Sequence, residues 1–214
     1  MSSTSIKVSL FVGSLVLVCA PRFARADEPT APPSHFGDAG QVALHLNEGM
    51  TVSTGDLLSG PQVQLDYFVT DHLSLGVMAG ADWYSNSAIS NGGHSVIFRV
   101  GPRVGYDIPL SAHVSFWPQI GVDFRSDHES SSYTSTAISP VGGGSVTTTT
   151  SSTTTAFAFV ATAPLLIHPT PGFFIGAGPA LYTDISNKTS SGSVSNDNGK
   201  QTSLGLMATL GGAF

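Results

Sequence analysis

Apolar residues alternate with small or polar residues along the final stretch of the chain. Counting back from Phe214 in steps of two, the apolar positions are Leu210, Ala208, Leu206 and Leu204, and the residues between them are Ala213, Gly211, Thr209, Met207, Gly205 and Ser203. Successive side chains of a β-strand point to opposite faces of its sheet. The pattern therefore predicts a terminal strand with one mostly apolar face and one face of small or polar residues.

The same period of two recurs in eight segments. They are Gln41–Ser53, Pro61–Thr70, Leu73–Ser85, Val96–Asp107, His113–Ser126, Thr154–Ile167, Phe173–Asp184 and Gln201–Phe214. No stretch shows the 3.6-residue period of an amphipathic helix, and glycine, which disfavours helices, is frequent within the segments. The sequence therefore predicts an all-β fold of eight strands.

The connections between these segments alternate in length. Four are long and polar: Thr54–Gly60, Asn86–Ser95, Asp127–Thr153 and Ile185–Lys200. Three are short: Asp71–His72, Ile108–Ala112 and His168–Gly172. Long loops outside and tight turns on the periplasmic side are typical of outer-membrane barrels. We therefore predict an eight-stranded antiparallel up-and-down transmembrane β-barrel over residues 41–214.

Aromatic residues and prolines add detail to this prediction. Aromatic residues near the strand ends predict two belts at the membrane surfaces. The periplasmic belt would contain Tyr67, Tyr106, Phe116, Phe173 and Phe214, and the outer belt Trp83, Phe98, Phe124, Phe157 and Tyr182. Proline has no N–H to donate within a sheet. We therefore expect local bulges at the prolines inside the segments, which are Pro102, Pro118, Pro164 and Pro179.

The composition favours strands in lipid over strands in water. Only 10% of the residues are charged, against roughly 25% in soluble proteins. The formal net charge is −6, so a polyanionic partner such as nucleic acid is disfavoured. The histidines lack metal-ligand spacing, and there is no phosphate-binding loop or basic stripe. We predict no cofactor, no metal site and no nucleic-acid partner.

Residues 1–26 have the pattern of a cleaved secretory signal peptide, with cleavage after Ala26. Lys7 supplies the positive charge, Val8–Ala20 the apolar core, and Ala24-Arg25-Ala26 the cleavage motif. The apolar core is too short for a membrane-spanning helix, because crossing about 30 Å of hydrocarbon takes about 20 residues. The sequence therefore predicts export.

The leader also contains the chain's single cysteine, Cys19. Val18 stands where a lipoprotein signal needs a small residue, so Cys19 is not expected to carry a lipid. Removal of the leader would leave no cysteine and would make the net charge more negative, because Lys7, Arg22 and Arg25 are lost without any acid. We expect the following residues 27–40, which contain proline and lack a pattern, to form a flexible periplasmic lead-in.

Alternation also selects the side chains that would fill the barrel. If Val63, Leu65, Tyr67 and Val69 face lipid, then Gln62, Gln64 and Asp66 face inward, and the same logic places inside His45, Asn47, Asp82, Arg99, Arg103, Asp107, Gln119, Asp123 and Arg125. An eight-stranded barrel is just wide enough for side chains, and buried ions must be paired. We predict a structural ion-pair network in two layers that plugs the lumen. The outer layer would contain Asp82, Arg99, Asp123 and Arg125, and the inner half Asp66 and Arg103, with Asp107 near the rim.

Three short motifs have residue types used in hydrolysis. His72-Leu73-Ser74 and His113-Val114-Ser115 place His and Ser on one face of a strand, but both follow predicted periplasmic turns, and we interpret them as structural. Asp127-His128-Glu129 lies at the predicted outer rim, where we favour a solvated loop over a catalytic site. The low-complexity segment Ser145–Thr155 is β-prone but polar, which is compatible with strands that extend beyond the membrane or with a mobile loop, and we favour solvated slack in the longest loop. No catalytic residue is predicted.

Several stretches resemble the outer-membrane β-barrel domain family, related to the transmembrane domain of outer-membrane protein A and to opacity-type barrels. These stretches are Val100–Tyr106 (VGPRVGY), Thr70–Gly76 (TDHLSLG), Phe116–Val122 (FWPQIGV) and the terminal Phe214. The resemblance covers roughly Gln41–Phe214 and implies insertion by the barrel-assembly machinery, which reads the C-terminal strand with Phe214, Leu210 and Leu206. Gly212 departs from the family, which usually has a bulky or aromatic residue there. The family has no shared catalytic residues to transfer.

These observations lead to one expected function and two alternatives. We expect an integral protein of the cell outer membrane, in contact with lipid and lipopolysaccharide, that acts in a structural, adhesive or surface-interaction role through four extracellular loops. One alternative is an outer-leaflet hydrolase or acyltransferase that uses residues near Asp127-His128-Glu129. The other is a secreted soluble barrel that binds an apolar ligand.

Overall fold

The computed structural model describes residues 35–51, 60–86, 93–137 and 144–214. The predicted signal peptide, with Cys19 and the cleavage site, and the lead-in as far as residue 34 lie outside the described residues. The described strands are β1 (Val42–Thr51), β2 (Pro61–Thr70), β3 (Leu73–Asn86), β4 (Gly93–Tyr106), β5 (Ile108–Ser111), β6 (Val114–Phe116), β7 (Gln119–Ala137), β8 (Gly144–Thr162), β9 (Leu165–Thr170), β10 (Phe173–Ser191), β11 (Val194–Asp197) and β12 (Thr202–Ala213). In this part of the chain, no helix is long and apolar enough to cross a membrane.

The strands form one antiparallel sheet whose pairings return to their starting point. The order is β1, β2, β3, β4, β7, β8, β10 and β12, and β12 pairs again with β1. Strands β5, β6 and β9 continue β4, β7 and β8 toward the short turns, while β11 folds back on β10 at the opposite end. The prediction of an all-β, eight-stranded antiparallel up-and-down barrel is confirmed.

The seam between the first and last strands is regular along its length. It runs from the pair Ala43 and Ala213 to the pair Thr51 and Gly205 without a register shift. At its end, the Val42 N–H donates to the Phe214 carbonyl at 3.0 Å, and the Phe214 N–H donates to the Val42 carbonyl at 2.9 Å. The terminal strand thus closes the barrel. The role of Phe214, Leu210 and Leu206 as an assembly signal stays a prediction.

Side chains alternate between a buried interior and an exposed apolar exterior, as the pattern predicts. In β2, Val63, Leu65 and Tyr67 are 47–49% exposed, whereas Gln64 and Asp66 are at most 2% exposed. The same alternation holds in β12, where Leu204, Leu206 and Leu210 are exposed and Ser203, Gly205, Met207 and Thr209 are buried. Large exposed apolar side chains occur on every wall strand. Water would disfavour such a surface, whereas hydrocarbon stabilises it.

Two sequence predictions about the wall are wrong. Tyr182 does not belong to an outer aromatic belt, because it lies on the same side of β10 as Asp184 and is buried in the lumen. The expected bulges are also absent at the four prolines, since the register shifts between the described strands lie elsewhere. Instead, Pro118 and Pro164 lie in breaks between strands, and Pro102 lies where β4 does not pair with β7.

Gly101 shows how closely the wall packs beside Pro102. A Cβ at this position would overlap the Val122 carbonyl oxygen and the Asp123 carboxylate. Because a backbone oxygen cannot move away easily, Gly101→Ala is expected to destabilise the barrel by about 1–3 kcal/mol. Denaturant unfolding in lipid vesicles measures this loss. Gly199→Ala is the control, since nothing lies within 4 Å of a Cβ there; equal stability of the two variants would contradict the prediction.

Candidate functional site: the lumen and the protruding sheet

Polar side chains form a hydrogen-bonded network across the inner half of the lumen. His45 Nε2 lies 2.8 Å from Asp66 Oδ2, and the same oxygen accepts a hydrogen bond from Gln64 Nε2 at 2.9 Å. Gln64 also donates to Gln119 at 3.0 Å and accepts from Asn47 at 3.1 Å. These residues come from β1, β2 and β7, on different sides of the ring. The network therefore ties opposite walls together inside the barrel.

Arg103 and Asp123 form an ion pair in the middle of the lumen. Arg103 Nη1 donates directly to Asp123 Oδ1 and also to the Pro102 carbonyl at 3.1 Å. Both side chains are at most 4% exposed. Buried charges of this kind need a partner, because the low-dielectric interior does not replace water around an isolated ion. The pair therefore satisfies both charges where water is scarce.

The remaining predicted lumen ions are less tightly joined. Arg99 Nη2 lies 3.9 Å from Asp82 Oδ2, and Arg125 lies opposite Arg99 in the β4–β7 ladder, with its Nε unpartnered among the described residues. Asp107, near the short turns, lies 3.6 Å from His72 Nδ1.

The prediction that the lumen ions pair within two separate layers is wrong. Arg103 of the inner half bonds Asp123 of the outer group, whereas Asp66 bonds His45 and Gln64. The alternation predicts His45 and Gln64 inside the barrel, but the predicted ion network does not include them. Their position on the inward rows of β1 and β2 was the only available signal.

The space left between these side chains is very small. A cavity of about 10 Å³ remains in the mid-lumen, lined in part by Asn47, Gln64, Arg103, Asp123 and Tyr182. A volume of about 10–15 Å³ is what one water molecule needs. The side chains that line this cavity therefore leave room for about one water molecule at this level.

An aromatic cluster closes the end of the barrel that carries the short turns. Phe36 packs against Phe68, Trp117 and Phe174 with ring centroids 5.0–5.3 Å apart. The expected flexible lead-in is therefore wrong for its last residues, 35–40, which fold under the barrel. The physical reason is burial of the Phe36 ring, which is only 8% exposed.

The opposite end of the barrel extends into a sheet of hydroxyl-bearing strands. The outward apolar rows end at Phe124 in β7 and Phe157 in β8, and beyond them the two strands stay paired from Ser126 and Thr155 to Ala137 and Gly144. These paired parts of β7 and β8 contain twelve residues each, which correspond to roughly 40 Å of strand. We call the parts of β4, β7, β8, β10 and β11 that lie beyond Phe124 and Phe157, on the side away from the short turns, the protruding sheet.

Much of the predicted loop sequence is therefore strand. The segments Asp127–Thr153 and Ile185–Lys200, expected as loops, lie largely in β7, β8, β10 and β11. Side-chain hydroxyls join neighbouring strands, with Thr154 Oγ1 2.7 Å from Thr189 Oγ1 and Ser132 Oγ 3.2 Å from Thr149 Oγ1. Thr is well suited to strands, and cross-strand Thr pairs stabilise them. Ser145–Thr155 is thus part of a sheet and not slack.

The motifs with hydrolytic residue types are not assembled into a site. Asp127 accepts a hydrogen bond from Ser95 at 2.6 Å, while His128 lies on the opposite face of β7 and contacts Thr153 at 3.0 Å. Ser115 Oγ lies 2.9 Å from His168 Nε2, both buried, and not against His113 of its own motif. Within the described ranges, no group of three or more His, Cys, Asp or Glu residues could hold a metal ion.

Several solved structures are similar to this chain. The N-terminal β-barrel domain of Pseudomonas aeruginosa OprF is 13% identical, with 82% of this chain and 98% of that chain covered and a TM-score of 0.41. Ail, the attachment invasion locus protein of Yersinia pestis, is 14% identical, with 82% and 99% covered and a TM-score of 0.41. A major outer membrane protein from Thermus thermophilus is 13% identical, with 82% and 99% covered and a TM-score of 0.45. No protein-family model and no curated protein matches the chain.

The fold is that of an outer-membrane-type β-barrel. Its eight wall strands pair in a ring, and large apolar side chains point outward from each of them. The alternation of buried polar and exposed apolar residues around a ring of eight strands is what distinguishes such a barrel from a soluble one.

Proposed function

We propose that the chain is an integral outer-membrane protein with a plugged lumen and a surface-interaction role. The observation that carries the proposal is the exposed apolar band on all eight wall strands, which needs hydrocarbon around it. A band of this kind around a polar, filled interior supports a membrane-spanning wall and argues against a soluble ligand carrier. The end with the short turns would face the periplasm and the protruding sheet the exterior.

The filled lumen supports a role other than transport. The His45–Asp66 contact, the Arg103–Asp123 pair and the small mid-lumen cavity together leave no wide path for solutes. In planar bilayers the purified barrel is expected to show no sustained single-channel conductance. Steady open-channel steps from the wild-type barrel would contradict the proposed plug.

The protruding sheet supports an interaction role at the cell surface. It presents mostly Ser and Thr hydroxyls and few charged side chains. The charged side chains include Asp127, Glu129, Lys188 and Asp197. Lys188 and Asp197 approach within 3.8 Å and are both exposed. A hydroxyl-rich, nearly uncharged surface is suited to hydrogen bonding with a polar partner outside the membrane.

Membrane insertion is tested first by gel mobility. A closed barrel resists dodecyl sulfate until it is boiled, so unboiled protein from isolated envelopes is expected to migrate differently from boiled protein. The protein should also stay with the membrane fraction until detergent is added. Release into the soluble fraction without detergent would contradict the proposal.

The surface role is tested by shortening the β7–β8 hairpin. Replacing residues 130–151 by a two-residue Asn-Gly turn removes the far part of the protruding sheet but leaves the apolar band intact. Cells of a non-adherent Gram-negative host that display the full chain are expected to be retained on protein-coated surfaces several-fold better than cells that display the shortened chain. Equal retention, with equal heat-modifiable barrel in both strains, would contradict an interaction role for this sheet.

A further inference from the structure

One aromatic ring is enclosed at the end of the barrel with the short turns. Phe36 lies edge-on to Phe68 and Trp117, with interplanar angles of 81° and 82°, and its ring centroid is 4.8 Å from that of His168. Edge-to-face arrangements at 4.5–7 Å are favourable beyond the area that they bury. The pocket therefore recognises the shape and the charge distribution of an aromatic ring.

The walls of this pocket come from several strands, including both strands of the β1–β12 seam. Ala43 lies on β1, Phe68 on β2, Leu166 on β9, Phe174 on β10 and Ala213 on β12, and all are buried with Phe36. Ala43 and Ala213 are also direct partners across the seam between β1 and β12. The complete pocket can therefore form only after the seam has closed.

The segment that carries Phe36 is fixed by main-chain hydrogen bonds to neighbouring turns. The Gly37 carbonyl accepts from the His72 N–H at 2.6 Å, and the Gly40 N–H donates to the Phe68 carbonyl at 2.8 Å. Gly37 has φ +94°, a conformation that favours glycine. These hydrogen bonds and the Gly37 conformation thus direct the Phe36 ring into the mouth of the barrel.

We propose that the closed barrel contains a binding site for one aromatic ring at this mouth, and that Phe36 is its ligand within the chain and acts as a latch on the β1–β12 seam. A ligand that binds only one state of a protein stabilises that state. Because the pocket is complete only in the closed barrel, docking of Phe36 opposes opening of the seam. This function does not depend on which membrane contains the barrel or on what the protruding sheet binds.

Chemical rescue tests the site directly. Phe36→Ala is expected to unfold at least about 10-fold faster than wild type at a fixed temperature, measured as loss of the unboiled gel band. Benzyl alcohol at millimolar concentration is expected to restore much of the lifetime of this variant, because a free ring can occupy the vacated pocket. Cyclohexanemethanol, the saturated counterpart, should restore less, and neither compound should slow unfolding of the wild type, whose pocket is filled.

Trp117 supplies a second, independent measurement. The chain has two tryptophans, so Trp83→Phe leaves Trp117 in the pocket as the single reporter. In this background, benzyl alcohol is expected to change Trp117 emission saturably in the Phe36→Ala barrel and not in the barrel with Phe36. If Phe36→Ala does not refold, Phe36→Leu replaces it in the unfolding-rate measurement alone, where it is expected to unfold faster than wild type because it keeps an apolar side chain but loses the edge-to-face contacts.

Three results would overturn the proposal. The first is an unfolding rate of Phe36→Ala equal to that of the wild type, because the ring would then not hold the seam. The second is equal rescue by the aromatic and the saturated alcohol, which would show general solvent action. The third is no saturable change in Trp117 emission. A failure of gel-shift or fractionation in the wild type would instead count against the proposed membrane location.

Discussion

Leu65→Arg is expected to lower the free energy of unfolding by about 2–4 kcal/mol, the cost of a cationic side chain at the bilayer midplane on the lipid face of a barrel. Leu65 lies in the middle of β2 and is 47% exposed. On a water-facing surface the same substitution would be nearly neutral, because most exposed positions change stability by less than about 0.5 kcal/mol. Reversible denaturant unfolding in lipid vesicles, with gel mobility as the measure of folded barrel, gives the value.

A matched variant on the protruding sheet separates membrane depth from the chemistry of arginine. Thr149 is exposed on β8, well beyond the apolar row that ends at Phe157, so Thr149→Arg is expected to change stability by less than about 0.5 kcal/mol. Tyr67→Arg, near the end of β2, should give a smaller loss than Leu65→Arg, because the cost falls toward the interface. Near-neutral behaviour of Leu65→Arg would show that the apolar band meets water, and the proposed location would be wrong.

Asp123→Asn is expected to destabilise the barrel by about 3–5 kcal/mol, because it leaves the Arg103 guanidinium buried without a charged partner. The substitution keeps the size and shape of the side chain, so the loss reports charge and not packing. Arg103 is 4% exposed and cannot reach water without rearrangement of the lumen. Vesicle unfolding of the single variant against wild type measures the effect.

The double variant Arg103→Met, Asp123→Leu tests whether stability depends on the ion pair itself or only on the balance of charge between its two members. Replacing a whole buried ion pair by apolar residues of similar volume is often neutral or stabilising, so the double variant is expected to recover most of the lost stability. As a control outside the lumen, Asp197→Asn removes one member of the exposed contact with Lys188 and should cost less than about 1 kcal/mol. A loss for Asp123→Asn as small as that of Asp197→Asn would contradict a structural role for the lumen pair.

The sidedness of the wall follows from the sequence alone. A strand has a period of two, so once Leu65 faces lipid, Gln64 and Asp66 must face inward whatever the neighbouring strands do. Tyr182 obeys this rule, because it is buried on the lumen side of β10, whereas its place near a strand end had predicted the outer belt. Its even-numbered neighbour Asp184 already indicated the lumen side of β10.

Partners inside the lumen could not be predicted in the same way. Whether Arg103 meets Asp66 or Asp123 depends on the stagger between strands and on side-chain reach across the barrel. Gly121, not Asp123, is directly opposite Arg103 in the ladder, so the ion pair is diagonal. Alternation gives the face of each residue but contains no information about this offset.

The protruding sheet and the Phe36 pocket, at the two ends of the barrel, also could not be predicted from local alternation. Ser and Thr runs are compatible with either loop or strand, and pairing with β4 and β10 decides for strand. Phe36 lies in a segment without a pattern, and its contacts come from residues as distant in sequence as Phe174.

By itself, the sequence determined the number of wall strands, the face that each residue presents and the medium that the outer face requires, because these depend on local periodicity and on the chemistry of single side chains. Only the tertiary structure decided which buried charges meet, how far the sheet continues beyond the apolar band, and that Phe36 closes the mouth. Those outcomes depend on the register between strands and on a pocket that does not exist until the barrel has closed.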